Sequence, residues 1–413
     1  MKRYVIIGNG PAAVSAVDGI RSVDSDGSIT VISKEEHAAY FRPLISYYLE
    51  GKSKAENIFC RPDDFYQKNH CEIILGEAVA INTNQKTVSV SNGESVPYDS
   101  LCICSGSSPF VPPMSGLDTV DKKFTFLTID DSFAIENAVD ENSRVLIIGA
   151  GLIGLKCAEG LRDRVADVTV CDLAPRVLSS ILDDGCAAIV QKHLEDCGIH
   201  FSLANTAERF EGNTAVMKDG SSVDFDVLVL ALGVRPNTGF FKEAGGACNR
   251  AILVDNCMKT SLDDIYAAGD CVEQEDITFG GKRIMALLPN ANIGGYTAGV
   301  NMAGGEAEFD NALPMNSIGF WGLHIMTAGT YANDGNARMI EEKSDKGIKR
   351  FFIRDNRLIG YIIIGEVKSA GIYTNLVRNR TDLTDIDLNL LIKNPNLLPF
   401  GEIYRRKTLR GVV

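Results

Sequence analysis

The sequence predicts an α/β protein: two parallel-sheet domains built on one plan, followed by a smaller α+β domain. Three observations carry this. The chain has 413 residues, more than one hydrophobic core accommodates, so two or three domains are expected. A strand, glycine turn, helix and strand occur twice, from Arg3 to Glu36 and again from Arg144 to Pro175, and such a repeat of β-α-β points to two parallel sheets. From about residue 313 the pattern changes to alternating strands such as Lys349 to Gly365, which predicts a separate fold for the remainder.

In the first copy a basic residue and a short apolar run lead into Gly8, Gly10 and Ala13. Gly8 permits the tight turn, Gly10 lets backbone approach a pyrophosphate, and the small Ala13 lets the helix pack on the strand. Pro11 and Ala12 open that helix, whose free N–H groups and positive dipole end face the phosphates. Glu35 follows the second strand, placed to accept from a ribose diol, with Ser33 and Glu36 as competitors. The second copy repeats this with Gly149, Gly151 and Gly154, with Leu152 and Ile153 opening the helix and Asp172 as the ribose acid. The chain is thus expected to hold two Rossmann-like dinucleotide-binding domains. A 2′-phosphate about 4 Å from the Asp172 carboxylate would meet repulsion of roughly 4 kcal/mol at an effective dielectric near 20, and only Arg176 stands near to compensate, so NADH is expected over NADPH. A further shared signal follows each copy: an apolar strand ending in glycine and a nearby proline, at Tyr98 to Pro109 and at Phe225 to Asn237. Two dinucleotide sites on one chain suggest a relay, a tightly held FAD reduced by a visiting nicotinamide.

Composition narrows the class. The formal charge is −13, which argues against a nucleic-acid binder with a basic face. No apolar run is long enough to span a bilayer. The N-terminal apolar run is broken by Gly8, Asn9, Gly10 and Pro11, which fits a strand and turn better than a secretory segment. Eleven cysteines lie scattered without metal-ligand spacing; Cys102 and Cys104, two apart on a strand, suit neither a zinc knuckle nor a disulfide. No metal is expected, and free thiols in a reducing cytoplasm are.

These stretches together resemble the FAD-dependent pyridine nucleotide-disulfide oxidoreductase family, the glutathione-reductase-like flavoproteins. The resemblance covers roughly residues 1–310 well and the rest more loosely. It is carried by Gly8-Asn9-Gly10-Pro11-Ala12-Ala13, by Cys104-Ser105-Gly106, by Gly149 to Gly154, by Ala231 to Asn237 and by Ile265 to Glu273. It implies FAD bound by residues 1–116 and 251–312, NAD(P)H bound by residues 117–250, and a C-terminal domain over 313–413. It further implies that Asp270 holds the ribityl and pyrophosphate region of the flavin, that Gly106 and Gly233 lie against the two cofactors, and that the Val79 backbone meets the adenine. The helix beginning near Asn292 would point its N-terminus at the flavin ring, or its glycines would serve close packing.

One absence selects a branch. Disulfide-reducing members carry a cysteine pair beside the flavin, and peroxide-reducing relatives a single cysteine, yet no cysteine precedes Cys60 here. Sulfenic-acid and mixed-disulfide chemistry are therefore disfavoured. The stretch Tyr40-Phe41-Arg42-Pro43 instead resembles the cysteine-less branch: rubredoxin reductases, ferredoxin reductases of oxygenase systems and the flavin part of NADH-dependent nitrite reductases. Asn316 to Gly329 is similar to the rubredoxin and nitrite reductase subgroup. The branch implies hydride transfer from nicotinamide C4 to flavin N5, with Arg42 and Pro43 near the flavin edge. Arg42 would offer a positive field or pair with an acid such as Asp270 or Glu50. Electrons would then leave for a rubredoxin or ferredoxin type of carrier, with Arg405, Arg406, Lys407 and Arg410 as candidate docking residues. NADH oxidase activity toward O2, and a flavoprotein subunit or redox sensor acting through a partner, are the alternatives; a homodimer is left open. Two departures stand out: Lys156 where relatives carry Glu, with Glu159 one turn on, and Tyr47 where many carry Lys beside flavin N5. Cys271 is the thiol nearest the expected flavin site; His37 and His324 read as structural or surface groups.

Overall fold

A computed structural model describes residues 1–331 and 336–409, with side chains to residue 406. Arg410 therefore lies outside the described residues, as does the side chain of Lys407. By contact the chain forms two compact units, one of residues 1–177, 195–275 and 281–310, the other of residues 178–194, 276–280 and 311–413.

The first unit holds two five-stranded parallel sheets. One orders its strands Ile265–Ala267, Ser100–Ile103, Arg3–Ile7, Ser28–Ser33 and Cys71–Leu75. The other runs Lys123–Thr125, Val227–Leu230, Arg144–Ile148, Asp167–Asp172 and His200–Leu203. The central strands are near-continuous apolar runs, buried on both faces as parallel strands are. The repeat extends well beyond the glycine turns. Each copy adds a three-stranded antiparallel meander, Ala78–Asn82, Thr87–Val90 and Ser95–Pro97 in one, and Ala207–Glu211, Thr214–Met217 and Ser222–Asp224 in the other. Both meanders carry a bulge at the same place, between Ala78 and Ala80 and between Ala207 and Arg209. Each first strand is anchored at its start by a bidentate pair, Arg3 to Asp99 and Arg144 to Asp226.

Two helices of this unit approach unusually closely. Pro11–Arg21 lies against Leu288–Met302, and a Cβ added at Gly295 or Gly299 would come within 3.0 Å of the carbonyl oxygens of Ala12 or Ala16; one at Gly19 would do the same to Tyr296. The glycines of the later helix thus have a packing role, and larger residues there would force the helices apart.

The second unit centres on a five-stranded antiparallel sheet ordered Met315–Phe320, Leu323–Gly329, Arg357–Gly365, Gly347–Arg354 and Arg338–Ser344. Helices Ala370–Arg378 and Leu388–Lys393 cover it, and their shared core includes Phe351, Tyr361, Tyr373, Leu376 and Leu391. Residues 178–194 belong to this unit: Asp183 pairs with Arg350, and His193 Nε2 meets the Phe320 carbonyl at 2.9 Å. Glu402–Leu409 forms a last helix in which Arg406 pairs with Glu402. Among the described residues no helix is long and apolar enough to cross a membrane.

Candidate functional site

The first two glycine positions of both turns are built alike. Gly8 and Gly149 have φ of +102° and +120°, a region other residues avoid. A Cβ at either would come within 3.0 Å of the carbonyl oxygen of Cys104 or Ala231 respectively. Gly8 N donates to Ile32 O and Gly149 N to Cys171 O, each at 2.8 Å. Gly10 and Gly151 then cap the helices Pro11–Arg21 and Leu152–Leu161 in extended backbone, with no side-chain cap. A Cβ at Gly10 or Gly151 would meet nothing within 4 Å. An uncapped helix N-terminus opening onto a space that only a missing Cβ leaves clear fits a pyrophosphate. The third position differs: Ala13 is buried, whereas a Cβ at Gly154 would run into the Gly149 carbonyl.

The ribose acids sit at the ends of the second strands. Asp172 accepts from the backbone N–H groups of Ala150 and Ala174, each at 2.7 Å. Two of the four lone-pair sites of its carboxylate are thereby used, and the rest can take a diol. Leu173 beside it is 61% exposed, an apolar surface at the turn that sequence reading passed over. Glu35 accepts from Arg42 Nη2 at 2.8 Å and from the Tyr40 hydroxyl at 2.5 Å. Its neighbour Tyr40 also accepts from Ile129 N, and burial pushes the phenol well above its usual range.

Arg42 and Pro43 begin a short turn of helix that leads into Ile45–Leu49. Arg42 pairs with Glu35, and its Nη1 reaches the Leu127 carbonyl at 3.3 Å; Glu50 instead pairs with Lys52. The Arg42 charge acts on Asp270 all the same. Burial raises the Asp270 pKa, while Arg42 and the Ser107 hydroxyl, 3.5 Å away, oppose the rise. Asp270 is thus an acid held in a dry place with little protein to satisfy it, which suits one that receives sugar hydroxyls.

Val79 is the extra residue of the first meander's bulge and is 49% exposed. A bulged residue leaves the ladder, which leaves its backbone groups for another partner. Glu208 holds the equivalent place in the second copy, a correspondence visible only once the meanders are aligned. Gly106 and Gly233 have φ of +64° and +100°, and a Cβ at either would meet open space. The segments after them pair antiparallel, Ser107–Pro109 with Val234–Pro236. Asn237 N donates to Gly106 O at 3.0 Å, Phe110 N to Gly233 O at 2.9 Å, and Ser105 Oγ to Asn237 O at 2.7 Å. Asn237 was within the recognised motif but not singled out.

The seam between the two turns is tied elsewhere too. Tyr48 donates to Glu136, and Arg164 bonds both Glu136 and the Leu49 carbonyl. Leu49 packs over Gly160 of the second glycine helix. Lys156 of that helix pairs with Glu159 and lies over the Tyr47 ring, 4.8 Å from its centroid. His37 contacts Asp130 at 2.8 Å, a surface pairing.

Burial holds back the thiols of Cys271, Cys60 and Cys71. Burial pushes Cys271 up to about 12, and its Sγ lies 3.3–3.4 Å from the carbonyls of Ala268 and Ile103. Burial likewise pushes Cys60 to about 12 and Cys71 to about 11. The cysteines are free, and among the described residues no cluster of His, Cys, Asp and Glu is set to hold a metal ion.

Comparison with known proteins agrees with this geometry. The pyridine nucleotide-disulphide oxidoreductase model matches residues 2–295, and the rubredoxin NAD+ reductase C-terminal domain model matches residues 314–381. The chain is 31% identical over 394 residues to the NADH-dependent phenylglyoxylate dehydrogenase subunit epsilon of Aromatoleum evansii, with 93% of each chain covered. It is 35% identical over 398 residues to an NADH oxidase of Methanocaldococcus jannaschii, covering 89% of this chain and 88% of that one. An NADH-rubredoxin oxidoreductase of Clostridium acetobutylicum is 27% identical over 366 residues, covering 88% and 91%. A solved NADH:rubredoxin oxidoreductase from that organism shares the fold, with a TM-score of 0.76 at 24% identity over 95% of this chain and 99% of that one. Two matched glycine turns, two parallel sheets and a matched C-terminal domain leave one assignment: the chain belongs to the pyridine nucleotide-disulphide oxidoreductases.

Proposed function

We propose that this protein is an NADH-dependent, FAD-containing reductase that hands electrons to an external carrier, a rubredoxin or a similar small iron–sulfur protein. One observation carries the reading. The stretch from Tyr40 to Leu49 holds no cysteine, with Pro43 at the place where the single-cysteine members it resembles carry theirs, and the nearest expected thiol, Cys271, is held against two carbonyls. The lack of a cysteine in that stretch supports electrons passing from the flavin to an external acceptor without a thiol in between.

FAD, when bound, supplies the hydride acceptor and the outlet for electrons. The chain's own residues divide the remaining work. Gly8, Gly10, Pro11, Ala12 and Ala13 would cradle its pyrophosphate, and Glu35, Asp270 and Ser105 would take hydroxyls. Val79 and Gly106 would offer backbone, and Arg42 with Pro43 would border the ring. NADH would lie on Gly149, Gly151, Leu152, Ile153 and Gly154, with Asp172 at its ribose and Gly233 alongside. Catalysis then rests on positioning rather than on an acid–base pair, which the many ties across the seam serve. Residues 1–116 with 251–312 would form the flavin module, 117–250 the nicotinamide module and 313–413 the remaining domain. Free thiols suit a reducing, cytoplasmic setting.

The phenylglyoxylate dehydrogenase subunit, alike over nearly its whole length, favours one second reading: a flavoprotein subunit that serves a partner enzyme. Anaerobic stopped-flow decides. NADH should bleach the flavin band rapidly, and a rubredoxin or ferredoxin mixed in next should restore it within the turnover time. Reoxidation by O2 alone, with no gain from any carrier, would overturn the carrier reading.

A further inference from the structure

The two segments that join the glycine-turn copies are laced together by a clasp with near-twofold logic. Phe110 and Asn237 hold the same place after Gly106 and Gly233, and each sends its N–H to the carbonyl of the other copy's glycine, at 2.9 and 3.0 Å. Their side chains break the symmetry. The Phe110 ring lies under the Arg235 guanidinium, 3.8 Å from its centroid, and so stays within the clasp. Asn237 instead reaches into the flavin-side loop. Its Nδ2 donates to the Ser105 carbonyl at 2.9 Å, its Oδ1 accepts from the Ser108 hydroxyl at 2.8 Å, and its own carbonyl accepts from the Ser105 hydroxyl at 2.7 Å. Both halves of the amide are thus spent on one loop. Packing does little to hold that loop at Gly106, where an added Cβ would meet nothing within 4 Å. The next residue, Ser107, stands 3.5 Å from Asp270, so the loop that Asn237 grips also reaches the buried acid.

We propose that Asn237 is a positioning residue for flavin reduction: from the nicotinamide-side segment it fixes where the loop from Ser105 to Ser108 stands against the flavin. This rests on the NADH reading above. In that reading hydride passes directly from one ring to the other, and Asn237 neither gives nor takes a proton. Its effect is on distance, and a displacement of about 1 Å in such a step costs roughly a hundredfold in rate. The same contact gives Ser105 a defined role. Its hydroxyl proton is committed to the Asn237 carbonyl, so the oxygen has only lone pairs to offer, which suits it to accept from a sugar hydroxyl.

The test uses the flavin-loaded, full-length protein. Asn237→Ala removes both side-chain bonds and keeps the backbone ones. Asn237→Asp sets a carboxylate oxygen against the Ser105 carbonyl and regains a donor only when protonated. Hydrogen exchange read by mass spectrometry should be about tenfold faster over residues 105–110 in Asn237→Ala, and unchanged over the Gly8 turn. In anaerobic stopped-flow the limiting rate of flavin reduction should fall about tenfold or more, while the NADH concentration giving half that rate stays within about twofold. The rate of Asn237→Asp relative to wild type should recover as pH falls from about 8 toward about 5, because the facing carbonyl favours the protonated carboxyl. Phe110→Ala, which removes only the stack with Arg235, should keep the limiting rate within about twofold. Unchanged exchange over residues 105–110 in Asn237→Ala would overturn the proposal, as would an unchanged limiting rate or an Asn237→Asp protein that acidification does not rescue. Should Asn237→Ala fail to hold flavin, the pH response of Asn237→Asp decides alone. A wild-type flavin that NADH does not bleach would overturn the NADH reading itself, and this proposal with it.

Discussion

Replacing Gly10 by alanine tests the cofactor cradle separately from the fold. The backbone of Gly10 is extended, at φ −103° and ψ −171°, which alanine adopts freely, and the added Cβ meets no protein atom within 4 Å. Two modest effects oppose each other. Alanine reduces the freedom of the unfolded chain, a gain of about 0.4–1 kcal/mol. It is also a poorer N-cap than glycine, a loss of about 0.5–1 kcal/mol. The flavin-free variant should therefore unfold in urea within about 1 kcal/mol of wild type. Gly8→Ala is the contrast, because φ of +102° and the Cys104 carbonyl inside 3.0 Å of the new Cβ cost roughly 1–3 kcal/mol in backbone strain before any clash. If the open space before Gly10 holds a pyrophosphate, a methyl group there displaces it by more than a hydrogen bond tolerates. Gly10→Ala should then retain under a tenth of wild-type flavin after desalting, read from the visible band against protein absorbance. A Gly10→Ala protein that is stable and binds flavin stoichiometrically would refute the assignment of that turn. A marked loss of stability without flavin would refute the claim that the space is empty of protein.

Other outcomes follow from the same structure. Asp172→Asn keeps an acceptor for one of its two backbone partners and removes the charge, so the preference for NADH over NADPH in rapid flavin reduction should fall at least tenfold; an unchanged ratio would remove Asp172 as the determinant. Asp270 has a raised pKa from burial, so folding favours its protonated form. Its contribution to the flavin-free protein is full below the unfolded value near about 3.9 and is lost as pH rises through the higher folded value. Asp270→Asn should flatten that stability loss in urea titrations across this window while weakening flavin retention. Asp99 is pulled down to about 2 by Arg3, so its smaller, solvent-screened share is present above about 3.9 and lost on acidification toward 2; Asp99→Asn should blunt acid unfolding slightly, seen by circular dichroism. Cys271→Ala should leave the rate of flavin bleaching by NADH within twofold, since a thiol pushed to about 12 supplies no thiolate; a loss of bleaching with flavin still bound would restore a sulfur relay.

The parts legible in the sequence were those fixed by local backbone demands. Gly8 and Gly149 announce themselves because no other residue tolerates their φ, and the acids after the second strands follow from the length of a β-α-β unit. The two sheets followed from the repeat of apolar runs. What stayed hidden depends on partners distant in the chain. Arg42 could be read as facing Asp270 or Glu50, yet its hydrogen bonds go to Glu35 and Leu127, while Glu50 pairs with Lys52. Residues 178–194 fall within the expected nicotinamide domain 117–250, yet by contact they belong to the C-terminal unit, and the Asp183–Arg350 pair that ties them there spans 167 positions. The Lys156–Tyr47 contact likewise joins two residues that each looked like an isolated departure.

The edge strand of the first sheet has a consequence for biosynthesis. Ser100–Ile103 waits for its outer neighbour Ile265–Ala267, which emerges from the ribosome about 160 residues later. At roughly 5–20 residues per second, the nascent chain carries an unpaired apolar edge for about 8–30 seconds, while the second repeat, whose own outer strand Lys123–Thr125 precedes it, can close at once. The inner module is therefore expected to fold first, and a chaperone that shields strand edges to matter most during that interval.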